Sequence, residues 1–502
     1  MSRSFRELSL ASGSEPTTST ITIATLVALA VIVGLFILQP ILQPLLGDLP
    51  IGTLLVIVGL GGVSAFLITF DERLWFYSAF LSTLGFIFAG DDAEGLAPTE
   101  ILFHFYGTLG LLLWYVKELV VNRRSIINSS FDFLIAIAFG VCLATALIAS
   151  VLYNAHPGYF VKELLGFTAF FFYFPIRKMM RDDRHVIVIL GLFLFITFIN
   201  GAVNLVNYQE RVVRSALAFG EVNARATSNE SYSALMTCLG AAIILYGKAR
   251  LLRWFGLGIF TLGAGLLIIS LSRGPVVAAG AGIVVSLLFA STTRAVRLLL
   301  YVIVGFIINI SLVYLIFPGF ADSIFTNIGS RFETLERVSS DKSLGARFDE
   351  YESLTDTYIP ASPWIGYGFG VFYSFYNKPF ATTYRATYTH SGYLHALYKY
   401  GIPAGLFLLF VLIVPLLRAP YMSHAWMSST RRLFFGFAVS GVISLLIINI
   451  TSNSLYSSTT LILWGIVLAL FDYLYGNDER KHQYRIVTSE RAVHLIQSDG
   501  TG

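Results

Sequence analysis

"DFLIAIAFGVCLATALIASVLY", residues 132–153, carries one charge, at Asp132, and is otherwise almost wholly apolar. A helix rises about 1.5 Å per residue and the hydrocarbon of a bilayer is about 30 Å thick, so a run of this length spans it. Similar runs recur near 22–45, 51–70, 74–90, 101–116, 159–176, 185–207, 230–247, 253–271, 274–291, 296–317, 401–417, 433–450 and 455–474. With a half-length piece at 388–400, they predict about 14 transmembrane helices. The 502 residues are 56% hydrophobic and 13% charged, with a mean hydropathy of +0.72. A soluble domain carries about 25% charged residues. The composition excludes a large soluble domain and implies an all-α polytopic membrane protein. Cys142 and Cys238 lie inside apolar runs and read as small buried side chains, not as a disulfide or metal pair.

The basic residues set the expected topology. Arg73, Lys117, Arg123, Arg124, Arg177, Lys178, Arg181, Arg184, Lys248, Arg250, Arg253, Arg294, Arg297, Arg418, Arg431 and Arg432 fall in alternate loops, which the positive-inside rule assigns to the cytoplasm. The opposite loops include the acidic "GDDAEGLAPTE" (90–100) and the neutral "TSNS" (451–454). Both termini are therefore expected in the cytoplasm. The first apolar run is too long for a signal-peptide core and reads as a retained span. The expected division is a cytoplasmic tail at 1–21, eleven spans over 22–317 and a large periplasmic loop with a re-entrant or half helix over 318–400. Three last spans over 401–474 and a cytoplasmic tail at 475–502 complete it.

Three outward stretches defy the charge bias. Residues 208–229 carry Arg211, Arg214 and Arg225; "LSRGP" (271–275) carries Arg273; the loop carries Arg331, Arg337, Lys342, Arg347 and Arg385. An ionisable group near membrane depth is a functional candidate. The guanidinium keeps its charge and offers a planar fork of donors that fits phosphate. Several together suggest a polyanionic head group such as a lipid-linked diphosphate. The plainer alternatives are a snorkelling Arg273, solvated loop charges at Arg331, Arg337 and Arg385, and surface pairing of Arg211 and Arg214 with Glu210 or Glu221.

In "GARFDEYESLTDTYIP" (345–360), Phe348, Tyr351, Leu354 and Tyr358 recur at helical spacing, with Asp349, Glu350, Glu352 and Asp356 taking much of the rest. This predicts an amphipathic helix at the membrane surface, ended by Pro360 and Pro363. "WIGYGFGVFYSFY" (364–376) follows. Its Gly366, Gly368 and Gly370 read as a tightly packed turn, since no strand precedes them as in a phosphate loop. Trp364, Tyr367 and Phe369 suit an interfacial belt or stacking on sugar rings. In "THSGYLHALYKYG" (389–401), Thr389 is the expected N-cap. His390, Tyr393, Leu394, Leu397, Tyr398 and Gly401 share a helical face, with His395 and Lys399 pointing elsewhere. A helix N-terminus attracts anions, so His390 is either an ionisable group beside a phosphate site or a satisfied core histidine.

In the order of these elements the later two thirds of the chain resembles the O-antigen ligase and O-antigen polymerase superfamily of bacterial polysaccharide assembly. The shared segments are "ARATSNESYSALM" (224–236), "SLSRGPVVA" (270–278) with its Ser-Arg-Gly turn, and "GARFDEYESL" (345–354) with its leading arginine. "SPWIGYGFGVF" (362–372), "THSGYLHALYKYGIPAG" (389–405) with His390 and Gly401, and an Arg-x-x-x-Leu match in "RFETL" (331–335) complete the set. Ser391 stands where the family commonly has Asn, and Tyr351 where it has Trp. The resemblance implies a metal-independent, inverting glycosyltransferase in the bacterial inner membrane, with its site facing the periplasm and no cofactor. Arg273, Arg347 and Arg225 would neutralise a departing undecaprenyl diphosphate, with Arg214, Arg331, Tyr351 and Tyr393 as further substrate contacts. His390 would be the base or another phosphate ligand. The implied partners are an undecaprenyl-pyrophosphate-linked glycan donor, a glycan or lipid A-core acceptor, the bilayer and other polysaccharide-assembly proteins, with no nucleic acid. Polymerisation of repeat units is the first expectation, ligation to lipid A core the second. A transporter of polysaccharide or lipid-linked sugar is the alternative from another class, with Lys162, Glu163 and His104 as its candidate mid-membrane groups.

Overall fold

A computed structural model describes residues 51–84, 104–219, 229–316 except 271, 342–422 and 427–476, with a few isolated positions between 317 and 341. The chain divides into two compact units, Met1–Ile126 and Ile127–Gly502.

In the first unit, α1 (Ile51–Phe70) and α2 (Glu72–Ser82) pack with α3 (Leu109–Val116), which wider helical turns extend at both ends. Trp75 is fully buried against Gly110, where a Cβ would overlap its indole. Lys117 donates to the Ile68 carbonyl at 2.6 Å, satisfying one of the last carbonyls of α1.

The second unit begins with α4 (Ser130–Leu152) and α5 (Pro157–Thr168), which passes through one tighter turn into α6 (Tyr173–Met179). Then come α7 (Asp183–Phe219), α8 (Glu230–Tyr246), α9 (Arg250–Ile269), α10 (Arg273–Leu288) and α11 (Thr292–Ile316). The surface segment holds α12 (Lys342–Ser353) and an antiparallel hairpin, β1 (Tyr373–Asn377) with β2 (Thr382–Ala386), in the register Tyr373↔Ala386 to Asn377↔Thr382. The helices α13 (Gly392–Arg418), α14 (Ser429–Thr451) and α15 (Ser458–Gly476) close the unit. Every residue of α8 from Ser231 to Tyr246 is buried, because α9, α10 and α14 all pack on it. Leu299, Ile303, Phe306 and Ile307 of α11 are instead exposed, as a lipid-facing helix requires. Away from the surface segment, Tyr173 donates to Asp132 at 2.7 Å, and Asp472 takes the Ser129 hydroxyl at 2.9 Å and the Arg177 guanidinium.

Among the described residues, eight helices are long and apolar enough to cross a membrane, and Gly59–Phe70, Glu230–Tyr246 and Arg273–Leu288 are shorter apolar helices. The chain is thus a multi-pass helical membrane protein; the expected span at 22–45 lies outside the described residues. The half-length piece and the span expected from residue 401 form one helix, α13, kinked at Gly401 (φ 80°). Pro403 has no N–H for the Lys399 carbonyl, and Ile402 donates instead to Pro363 at 2.7 Å. The carbonyls so freed accept from the surface segment, Tyr398 from the N–H of Tyr367 at 2.8 Å and Lys399 from that of Gly368 at 3.0 Å. A Cβ at Gly401 would overlap the Trp364 carbonyl. With the left-handed backbone added, Gly401→Ala is expected to destabilise the protein by about 2 kcal/mol or more. Thermal unfolding in detergent checks this against Gly258→Ala, whose Cβ would meet open space.

Candidate functional site

The last turn of α14 gathers the pieces of the candidate site. Its final carbonyls have no helical partner and must be satisfied from outside. Tyr351 of α12 donates to the Ile450 carbonyl at 3.1 Å, and Ser391 to that of Asn449 at 3.4 Å. Tyr393 donates one turn earlier, to Leu446 at 2.7 Å. At the start of α10, Gly274 lies against the Thr451 side chain, which brings the partly buried Arg273 to the same helix end. Arg273, Tyr351 and the Ser391–Tyr393 stretch, distant from one another in sequence, therefore come together through one helix terminus.

His390 sits just before α13. The N-cap is Ser391, not the expected Thr389: its hydroxyl accepts from the N–H of Leu394 at 3.4 Å. Thr389 is fully buried and donates to the Ser391 carbonyl at 2.6 Å, shaping the turn that precedes the helix. His390 Nδ1 lies 2.7 Å from Glu350 Oε2, and its backbone N–H donates to Glu350 Oε1 at 3.1 Å. The same oxygen accepts from the Tyr373 hydroxyl, which also lies 2.7 Å from the Tyr388 carbonyl. The Glu350 side chain is 1% exposed while that of His390 is 40% exposed. Tyr388 places its hydroxyl 3.3 Å from His390 Nε2, on the open side of the ring.

The helix expected over 345–360 is present, but its buried face is not the expected one. Phe348 is exposed, whereas Glu350 and Leu354 turn inward, one turn apart. Leu354, Ile359, Tyr373 and Tyr398 form a small aromatic core, with Tyr367 stacked on Tyr398 at 5.1 Å between ring centroids. Arg347 lies in α12, partly buried, one turn before Tyr351. Burial pushes the Tyr351 phenol up to about 12, and the Arg347 charge works against that rise. Tyr351 thus stays a neutral donor.

The glycine segment is used for packing. The N–H groups of residues 366 to 370 donate in turn to Ser362, Tyr398, Lys399, the Ser150 hydroxyl and the Glu163 carboxylate. Five consecutive donors are taken up by protein acceptors, so the loop has none to offer a phosphate. Gly368, at φ 74°, lies against the backbone of Ala146 and Ser150, where a Cβ would overlap it. Tyr367 and Phe369 pack inward, and Trp364 is exposed. Lys399, expected off the His390 face, and Glu163, a candidate mid-membrane group, form a fully buried ion pair at 2.7 Å. Arg385 lies over the Phe372 ring at 4.3 Å.

The structure places Arg214 in the backbone of α7, its side chain outside the described part; Arg225 and Arg331 also lie outside the described residues. In the sequence Glu350 is one of several acids interleaved with the apolar positions of 345–360. Its one sign in the sequence is its place four residues before Leu354, on the same helical stripe.

Residues 257–409, from α9 to the middle of α13, match the sequence model of the family described as O-antigen ligase. That stretch contains Arg273, Arg347, His390 and Gly401. No curated protein matches the chain.

Proposed function

We propose, on the premise that this chain is O-antigen ligase-like over residues 257–409 and works in polysaccharide assembly, that it transfers a glycan from a lipid diphosphate to a sugar hydroxyl. The donor is undecaprenyl-pyrophosphate-linked, and the reaction takes place at the periplasmic face of the inner membrane. The observation that carries this reading is the pairing of His390 with Glu350 beside the arginine-bearing helices, within the matched segment. The acceptor hydroxyl oxygen attacks the anomeric carbon from the face opposite the diphosphate. The bond from that carbon to the diphosphate oxygen breaks, the lipid diphosphate leaves with the electron pair, and the configuration inverts. The hydroxyl proton passes to His390. Arg273 and Arg347, with Arg225, Arg214 and Arg331 from the outward stretches, supply the counter-charge for the leaving group. Tyr393 and Tyr351 flank the site.

Polymerisation of repeat units is the first reading, from the long chain, with ligation to lipid A core second. A transporter would need free ionisable groups at mid-membrane, but Glu163 is held in its pair with Lys399. The deciding experiment is a gel of surface and carrier-linked glycans from a strain lacking the protein. Single repeat units on lipid A or on the carrier are the expected result. Long chains stranded on the carrier, with bare lipid A, would make the protein a ligase instead. Wild-type glycans would overturn both. Arg347→Ala is expected to reduce transfer at least tenfold, with Arg347→Lys recovering only part of it because the planar fork is lost. The check is the rate of lipid-linked donor consumption at equal amounts of inserted protein.

A further inference from the structure

The partner of His390 Nδ1 determines which ring nitrogen faces the substrate. A buried carboxylate only accepts hydrogen bonds, so Nδ1, 2.7 Å from Glu350 Oε2, is the nitrogen that carries the proton. The lone pair of the neutral ring then sits on Nε2, on the partly open side next to Tyr388. Glu350 is itself fixed. Its Oε1 takes the backbone N–H of His390 and the Tyr373 hydroxyl, and burial together with the Glu350 carboxylate pushes that phenol well up, so it remains a donor. Tyr456, from the turn before α15, packs on Tyr388 at 5.4 Å, and burial raises it as well. The imidazole thus meets Glu350 on one side and Tyr388 on the other, with Tyr373 on the far side of Glu350, Tyr456 behind Tyr388, and Arg347 one turn before Glu350 on α12.

We propose that Glu350 is a positioning residue that holds His390 in the Nδ1–H tautomer and makes Nε2 the acceptor of the sugar hydroxyl proton. The inference rests on the glycosyl-transfer reading above and sharpens it: His390 acts as a base and not as a phosphate ligand. As the proton moves from the hydroxyl to Nε2, the ring becomes an imidazolium, and the Glu350 carboxylate stabilises the charge that forms. No proton passes to Glu350.

The test is the pH dependence of kcat/KM for the full-length protein in liposomes with a lipid-linked glycan donor, for wild type, Glu350→Gln, Glu350→Asp and His390→Ala. A base must be unprotonated, so wild-type activity is expected to rise with pH along an acid limb. Without the carboxylate the imidazolium formed during transfer loses its counter-charge, so Glu350→Gln is expected to lower kcat at least tenfold and leave KM for the donor within twofold. Glu350→Asp keeps the charge but withdraws it from Nδ1, and is expected to lower kcat less, again with KM for the donor within twofold. This second variant carries the test should Glu350→Gln not insert. An unchanged kcat in both variants, a donor KM that moves along with kcat, or an effect confined to protein yield, overturns the positioning role and leaves glycosyl transfer standing. Activity that falls as pH rises would make His390 a phosphate ligand and also overturn it. If His390→Ala stays fully active, the reading of the site fails and this inference with it.

Discussion

His390→Ala is expected to lower glycan transfer by about 10²–10⁴-fold, the range over which a positioned general base contributes. The fold should not change, for reasons visible around the residue. The start of α13 is capped by Ser391, and the preceding turn is held by Thr389, neither of which uses the imidazole. Glu350 loses one partner but keeps the Tyr373 hydroxyl and the backbone N–H of residue 390. With 40% of the side chain exposed, truncation leaves no sealed cavity. The loss should fall on kcat, with KM for the lipid-linked donor little changed, when transfer is measured at matched amounts of inserted protein. Undiminished transfer would remove His390 from the chemistry.

Lys399→Met is expected to have the largest effect on stability, about 3–5 kcal/mol, because it leaves a buried carboxylate without its counter-ion. Both side chains of the Lys399–Glu163 pair are almost completely buried, and Glu163 Oε2 also accepts the N–H of Gly370 at 2.9 Å. The pair therefore joins α5, the glycine segment and the helix half that begins just after His390. The double variant Glu163→Gln with Lys399→Met should recover most of the loss, since the amide oxygen still accepts from Gly370 and no charge remains to be buried. Thermal unfolding in detergent measures both. A single variant as stable as the wild type would mean that the pair does not hold the segment in place.

Much of this molecule can be read directly from periodicity and composition. Apolar runs such as 132–153 and 433–450 became helices α4 and α14, because length and hydropathy alone decide whether a segment can satisfy its backbone in lipid. The three closely spaced glycines read as packing, and they pack, each at a positive φ that disfavours a side chain. Reading along the chain did less well where a helix meets an irregular partner. At α13 the break at Gly401 and the missing N–H of Pro403 make sense only once the surface segment is seen to fill the freed carbonyls. Helical spacing placed Lys399 off the His390 face but could not supply its partner, because Glu163 lies far away in sequence.

Composition and periodicity suffice to mark a multi-pass helical membrane protein, a helix that carries Arg347, and a histidine at the start of a later helix. The inward turn of Glu350 to meet His390, and the gathering of Arg273, Tyr351 and Ser391 at the end of α14, depend on contacts between distant elements. The physical reason is that hydropathy and helical period act over a few turns, so they can be read locally. A buried carboxylate is settled by whichever donors the rest of the fold brings to it, here a phenol and an imidazole from residues 23 and 40 positions further along the chain.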